Sequence, residues 1–402
     1  MSRILNGGDL IGQGSYGCVF KPGLMCNGKP PSNNKISKLM IKKEAIKEIN
    51  ELKKIDKIDK EFIFHIETPK ICDISKNDYI NEPGIENCNI IRKTNRRDSL
   101  VNLEYNYGGI TLKELLERNL INSEKLIKTY FTNFENLFYG LYQMNKNNFM
   151  HNDIKDENIV IHPKDLKIKY IDFGLSRNIN KNLSEFEINI YKYGYFAYPF
   201  ETFLLNEEVY NHYKYGSSKN IDIFNSMKLE YEFGFTPYIN RKYISGYYKL
   251  YETTWLNDKR EYIELIKNTN YEEFKNELLK KLDIFSLGLV LMKSYYHIFN
   301  EKIDLTNIKS KKDNLLKYHL LELINAMTDS FYKERISAKE ALRYYRVNII
   351  PLVSDIIITK SSMKEPSKTL KKRCPEGKVL NPKTNRCVNK TGKIGKGILR
   401  KN

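Results

Sequence analysis

The sequence is poor in cysteine, with six among 402 residues, and has a single tryptophan. No two cysteines form a C-x-x-C pair, and none joins histidine at zinc-site spacing. That excludes a zinc finger or zinc ribbon as the organising element. Cysteines at this density, at positions 18, 26, 72, 88, 374 and 387, suit a reducing compartment. Long apolar runs are also missing. A membrane-spanning helix needs ~20 apolar residues, and the best stretch, Leu282 to Met292, carries Asp283 and Ser286. No membrane contact is therefore expected. A secretory leader is not expected either, because the first functional motif already begins at Ile11.

Aromatic residues are plentiful. Twenty-nine Tyr and nineteen Phe argue against a disordered chain, and a chain this long can bury a large core. Its length allows two or three domains. The formal net charge is +18, unevenly placed: residues 360–402 hold fourteen basic and two acidic side chains, so the tail carries +12 and the rest +6. Such a tail is either a solvated appendage or a contact for an acidic protein, nucleic acid or anionic surface.

The first hundred residues read as short strands around one helix. Asp9 to Phe20 resembles two strands joined by a glycine turn, and Lys35 to Ile41 alternates like a half-buried strand. Residues 44–55 are helical, with Ile46, Ile49, Leu52 and Ile55 at three-residue spacing. From Thr111 the pattern turns mainly helical, with two short strands near 159–161 and 168–171 and a buried helix from Leu282 to Tyr295. Strands first and helices later predict an α+β fold with two lobes.

Ile11-Gly12-Gln13-Gly14-Ser15-Tyr16-Gly17-Cys18-Val19 contains G-x-G-x-x-G. Glycines let a turn bring backbone N–H groups against phosphate oxygens. In a dinucleotide fold a helix would follow. Here Cys18-Val19-Phe20 continues as strand and Pro22 blocks a helix, so the motif predicts a hairpin lid. Lys38, on the next strand, is a candidate phosphate-holding cation. A lysine on a buried face needs an anion, and Glu48 is the candidate on the helix, with Glu44 and Glu51 as alternatives.

His151-Asn152-Asp153-Ile154-Lys155-Asp156-Glu157-Asn158 fits H-x-D-x-K-x-x-N, and Asp172-Phe173-Gly174 follows a short strand. Phosphoryl transfer needs a carboxylate to orient the attacking hydroxyl, oxygen ligands for magnesium and positive charge on the transferred group. Asp153, the pair Asn158 and Asp172, and Lys155 supply these in turn. Magnesium takes few protein ligands beside phosphate oxygens.

Taken in order from Gly12 to Arg335, these motifs make the chain resemble a eukaryotic-type protein kinase, with Lys155 in the serine/threonine form. The resemblance implies ATP and Mg2+ and a bilobal fold. Its N-lobe would span 1–103 and its C-lobe 104–350, with an insertion at 202–282. Leu103-Glu104-Tyr105-Asn106-Tyr107-Gly108-Gly109 matches the family's hinge, which implies adenine contacts from the backbone around Glu104 and Asn106, and Leu103 guarding the back pocket. Ala197-Tyr198-Pro199-Phe200-Glu201 resembles A-P-E, and Asp283-Ile284-Phe285-Ser286-Leu287-Gly288 resembles the D-x-W-S-x-G helix. Arg335 resembles the late arginine that pairs with the A-P-E glutamate, here Glu201.

The sequence departs from the family in three ways. Asn152 stands where many members have Arg, which suggests that no activation-loop phosphate is required. Phe285 replaces tryptophan. Eighty-one residues separate Glu201 from Asp283, an insertion read first as neutral, since surface insertions cost little chain entropy, with a substrate-docking element or an autoinhibitory cover as the alternatives. The tail, with Cys374 and Cys387, resembles a small two-cysteine adaptor module of large DNA viruses. It implies a docking element for protein, with nucleic acid as a secondary possibility, and its cysteines could pair or sit as small hydrophobes. A serine/threonine protein kinase acting on protein substrates is the expectation. A scaffold-type pseudokinase is the alternative, although none of Lys38, Asp153 and Asp172 is lost.

Overall fold

The fold was obtained as a computed structural model, which describes residues 8–14, 17–30, 34–93, 100–193, 197–215, 266–301, 303, 308, 314–329, 331–353, 378–381 and 386–389. Ser15, Tyr16, Cys374 and most of the 202–282 insertion and the basic tail lie outside the described residues. It is an α+β protein with a β-sheet N-terminal region and a helical C-terminal region, consistent with a bilobal fold. The chain packs as two compact units, 1–120 with 136–182, and 121–135 with 183–402.

The first unit is built on an antiparallel five-stranded sheet in the order β1-β2-β3-β5-β4. Its strands are β1 (Asp9–Gln13), β2 (Gly17–Lys21), β3 (Lys35–Ile41), β4 (Lys70–Asp73) and β5 (Leu100–Asn106). Helix α1 (Lys42–Ile58) follows β3 directly. Its buried side chains are Ala45, Glu48, Ile49, Leu52 and Ile55, a stripe at helical spacing. Ile46, counted with the apolar face from sequence, is exposed.

Strand alternation divides the sheet's side chains between two cores. Met40, Val101 and Leu103 pack with Ala45 and Ile49 of α1. Cys18, Phe20, Leu39 and Leu100 face the other way and meet Tyr79, Ile85, Cys88 and Ile90, contributed by residues 74–93. That segment covers the sheet's second face and includes the short helix α2 (Asn89–Lys93). Two disulfides fasten this side: Cys18–Cys88 and Cys26–Cys72. The reducing-compartment reading treated the cysteines as scattered. Folding brings partners 70 and 46 residues apart to Cα separations of 5.8 and 5.0 Å, within disulfide range.

The same unit holds β6 (Ile110–Thr111), helix α3 (Leu112–Glu117) capped by Thr111, and the short strands β7 (Phe149–Met150), β8 (Ile159–Ile161), β9 (Ile168–Tyr170) and β10 (Arg177–Asn178). Helix α4 (Glu124–Lys146) contributes its residues up to 135 to the second unit and the remainder to the first.

The second unit includes α5 (Glu185–Tyr193), α6 (Glu207–Tyr215), α7 (Tyr271–Phe299), α8 (Leu315–Met327), α9 (Ala338–Tyr344) and α10 (Ile350–Val353). Every residue of α7 from Leu282 to Tyr295 is buried, as expected of a helix enclosed on all sides. Asn270 and Ser337 cap α7 and α9, each accepting an N–H of the first turn. In the tail, β11 (Lys378–Asn381) and β12 (Arg386–Asn389) form an antiparallel hairpin with Leu380 opposite Cys387. Among the described residues, no helix is long and apolar enough to cross a membrane.

Candidate active site

The glycine segment is built on two consecutive strands. β1 and β2 pair antiparallel, with Gly12 opposite Val19 and Gln13 opposite Cys18, and the Gly14 N–H donates to the Gly17 carbonyl at 2.9 Å. The chain continues as strand after Gly17. A Cβ at Gly17 would lie 2.8 Å from Met40 Cγ and 3.0 Å from Lys38 Cγ, so the third glycine of the motif lets β2 lie against the residue that carries the cation. Ile11 is exposed, whereas the Cys18 side chain turns into the opposite core.

Lys38 sits opposite Val19 on one side and Leu103 on the other. Its ammonium donates to both oxygens of Glu48, at 2.9 and 2.7 Å. Burial pulls Lys38 down, but Glu48 and then Asp172 outweigh it and hold the ammonium above its usual range. Of the three glutamates considered from sequence, Glu48 alone lies on the buried face of α1, and Glu51 instead pairs with Lys54 near the surface.

β5 and its end carry the residues of the hinge expectation. Leu103 is fully buried in the core under α1. The side chain that reaches the Lys38–Glu48 pair is Tyr105, two residues further along the same face, whose hydroxyl donates to Glu48 Oε1 at 2.5 Å. Glu104 lies inside the ladder, with Ser37 opposite it on β3 and Lys70 on β4, so its main chain is flanked by strands. Asn106 lies beyond the end of β4, and its side chain accepts from Lys35 Nζ at 2.7 Å. Lys21 Nζ stands 3.3 Å above the Tyr107 ring, a cation–π contact. Gly109 has φ +119, and a Cβ there would strike the Ile161 carbonyl, so glycine allows this segment to close on β8.

The polar residues of 151–158 converge on one carboxylate. Asp153 Oδ2 accepts from Lys155 Nζ at 3.1 Å and from Asn158 Nδ2 at 2.7 Å. The Asn158 amide also donates to the Asp153 carbonyl at 2.9 Å, which leaves its Oδ1 for another partner. Burial raises Asp153 above the ordinary carboxylate range, with Lys155 opposing and Asp172 reinforcing the shift. His151 is fully buried between Tyr170 and Phe173, and its Nε2 lies 3.0 Å from the Ile171 carbonyl. Its Nδ1 accepts the Asp153 N–H at 3.3 Å. One ring nitrogen thus donates and the other accepts, which is the pattern of neutral imidazole. Burial depresses its pKa to about 4. Asn152 adopts φ 62, a left-handed conformation asparagine tolerates, and its side chain donates to the Leu175 carbonyl at 3.3 Å.

Asp172 also has positive φ, 60°, two residues after the end of β9, and Phe173 and Gly174 follow in a short helical turn. Sequence reading missed a second support for this region. His65 is buried, with Nδ1 2.8 Å from Asp59 and Nε2 2.8 Å from Asp56 at the end of α1, and its ring meets Phe173 edge-on. Tyr170 N–H donates to the Phe64 carbonyl at 2.7 Å. These contacts tie the end of α1 to the strand that delivers Asp172. Asp56, Asp59 and His65 within ten residues are a polar cluster visible in the sequence, although nothing there places it against Phe173.

All these groups belong to the first unit, whereas Glu201, Asp283 and Arg335 belong to the second. Arg335 pairs with Glu201 in the buried interior, and its guanidinium lies 5.0 Å from the Phe285 ring centroid. Ser286 donates to the Ala197 carbonyl at 2.7 Å. Asp283 is buried on α7.

The donor chemistry suits magnesium bound largely through phosphate. Among the described residues no group of three or more His, Cys, Asp or Glu could cage a metal ion. The available set is one amide oxygen, Asn158 Oδ1, and the Asp172 carboxylate. Magnesium, which keeps several waters and phosphate oxygens, accepts so small a set.

A protein-family model described as "Protein kinase domain" matches residues 5–224, more than half of the chain. A curated protein, the titin homolog of Caenorhabditis elegans, is 33% identical over 82 residues, which is 20% of this chain and 0% of that much longer protein to the nearest percent.

Proposed function

The chain belongs to the protein kinase domain family, and on that premise we propose that it transfers the γ-phosphoryl group of ATP to serine or threonine hydroxyls of protein substrates. One observation carries this reading: a single unit holds the Lys38–Glu48 ion pair and the Asp153–Lys155–Asn158 cluster, and the Asp172 carboxylate acts on both Lys38 and Asp153.

The glycine hairpin and Lys38 hold the nucleotide's phosphates, and Glu48 keeps Lys38 in place. The main chain around Glu104 and Asn106 borders the adenine. Asn158 and Asp172 would hold magnesium, which would neutralise phosphate charge. Asp153 orients the substrate hydroxyl and accepts its proton. Lys155, two residues on, places positive charge beside the transferred group. Lysine at this position, with the pairing of Arg335 and Glu201, favours a protein Ser/Thr substrate. Catalysis of this kind is mostly positioning and electrostatics.

Asn152 joins the catalytic segment to Leu175 without an arginine at that position. We read this as an enzyme that needs no activating phosphate on its activation segment, so phosphatase treatment should leave its rate within about twofold. The basic tail, 360–402, is proposed to dock proteins, and its resemblance to the two-cysteine module of large DNA viruses points to a viral kinase. No observation favours the pseudokinase reading.

The deciding experiment supplies γ-labelled ATP and magnesium to a lysate with the wild type or Asp172→Ala, followed by phosphoamino-acid analysis. Phosphoserine or phosphothreonine that appears only with the wild type supports the reading. Equal labelling in both arms, or phosphotyrosine alone, overturns it.

A further inference from the structure

Glu48 is almost fully buried, and a carboxylate removed from water must have its oxygens satisfied. Oε2 receives Lys38. Oε1 receives Lys38 and also the Tyr105 hydroxyl, at 2.5 Å. Three elements therefore meet at one carboxylate: β3 through Lys38, α1 through Glu48 and β5 through Tyr105. The register explains how. Lys38 lies opposite Leu103, and Tyr105 follows on the same face opposite Ile36, so the tyrosine leans past Leu103 toward α1. Its ring packs against the Met40–Ala45–Ile49–Val101–Leu103 core, which fixes the direction of the hydroxyl.

We propose that Tyr105 is a positioning residue of the phosphoryl-transfer site: by donating to Glu48 it holds α1 against the sheet and keeps Lys38 where phosphates bind. The inference rests on the phosphotransferase reading above. A lysine–glutamate pair alone links α1 to β3 through two flexible side chains. The tyrosine adds a link from a rigid ring anchored in the core, with few torsions to order. Burial, and after it the negative charge of Glu48, raise Tyr105 well above its usual range, so the phenol remains a donor throughout the working pH range. The pair is then set before nucleotide arrives, in keeping with a site that does not await phosphorylation.

Tyr105→Phe keeps the ring and removes only the donor. A hydrogen bond to a charged group is stronger than one between neutral groups, so kcat/KM for ATP should fall about 10-fold. The distinguishing measurement is a double-mutant cycle with Glu48→Gln, made in the full chain, with folded fraction measured by thermal melting and divided out. If Tyr105 acts through Glu48, Tyr105→Phe costs several-fold less in the Glu48→Gln background than in the wild type. Losses that multiply independently mark a packing role and overturn the proposal, as does a Tyr105→Phe enzyme as fast as the wild type. A wild type that transfers no phosphate overturns the kinase reading itself and this inference with it, so the two failures remain distinct.

Discussion

Arg335 places its guanidinium 2.5 Å from a Glu201 carboxylate oxygen, with both side chains sealed from solvent. Burial raises Glu201, and Arg335 opposes that shift. The arginine also donates to the Asp329 carbonyl and, more weakly, to that of Lys281, so its charge is shared among several acceptors. Glu201 Oε2 has no hydrogen-bond partner among the described residues. The carboxylate therefore depends heavily on Arg335.

Breaking this pair from one side should cost more than removing both charges. Arg335→Met leaves a buried carboxylate and is expected to lose ~3–5 kcal/mol of stability. Replacing both, as Glu201→Leu with Arg335→Met, should recover part of that loss. Urea unfolding of the two variants tests the order. A double variant no more stable than Arg335→Met would show that the arginine's backbone contacts, not the ion pair, hold the region.

Asp153 carries the pH dependence of transfer. Its folded pKa lies above 3.8, mainly because burial disfavours the charged form, and only the carboxylate can accept the substrate's proton. The rate should therefore fall with acidification at a pH above that of an ordinary aspartate. Asp153→Ala should keep nucleotide binding and lose about 100- to 10,000-fold in transfer, the range for a general base. Titration of a fluorescent nucleotide alongside single-turnover assays separates the two effects. An Asp153→Ala enzyme that phosphorylates at the wild-type rate would remove Asp153 from this role.

The parts of the site that were readable in sequence are those where spacing is local. His151 to Asn158 lies on one continuous turn, so residue intervals fix which groups can meet around Asp153. Glu48 was harder, because Glu44 and Glu51 sit on the same helix. What separates them is the buried stripe of α1, which runs through Ala45, Glu48 and Ile49 rather than through Ile46. Tyr105 was hidden because Leu103 and Tyr105 share a strand face, and sequence does not tell where β4 stops pairing with β5. The cysteines were hidden for a different reason. Cys18 and Cys88 are joined by the fold of residues 74–93 over the sheet, a contact no local pattern encodes. The α+β division itself followed from alternation before residue 106 and helical periodicity after it.

His151 makes stability fall in mild acid. Its pKa is about 4 when folded, against the ordinary 6.5. Between those values the unfolded chain binds the proton and the folded chain does not, so stability is full above 6.5 and drains as pH falls toward 4. At pH 5 the loss is about 2 kcal/mol relative to pH 8. His151→Tyr should be less stable at pH 8 but show a smaller drop between pH 8 and pH 5. Denaturant melts at the two pH values give the comparison. Equal drops in both proteins would mean that His151 is not the group responsible.

The disulfides supply the last expectation. Cys18–Cys88 anchors β2, the second strand of the glycine hairpin, to the segment that covers the outer core, and Cys26–Cys72 anchors the following loop to β4. A cross-link closing a loop of this size stabilises by roughly 2–4 kcal/mol, mainly by restricting the unfolded chain. A reducing agent should therefore lower the melting temperature by roughly 5–15 °C. The double variant Cys18→Ala with Cys88→Ala should reproduce part of that fall without reductant. Nucleotide affinity should weaken alongside, because Cys18 directly follows the glycine that packs on Lys38. Peptide mapping of the non-reduced protein should recover Cys18 and Cys88 in one linked fragment. If all four cysteines alkylate freely without reduction and the melt ignores reductant, the covalent bridges do not exist in solution, and the outer core holds β2 by packing alone.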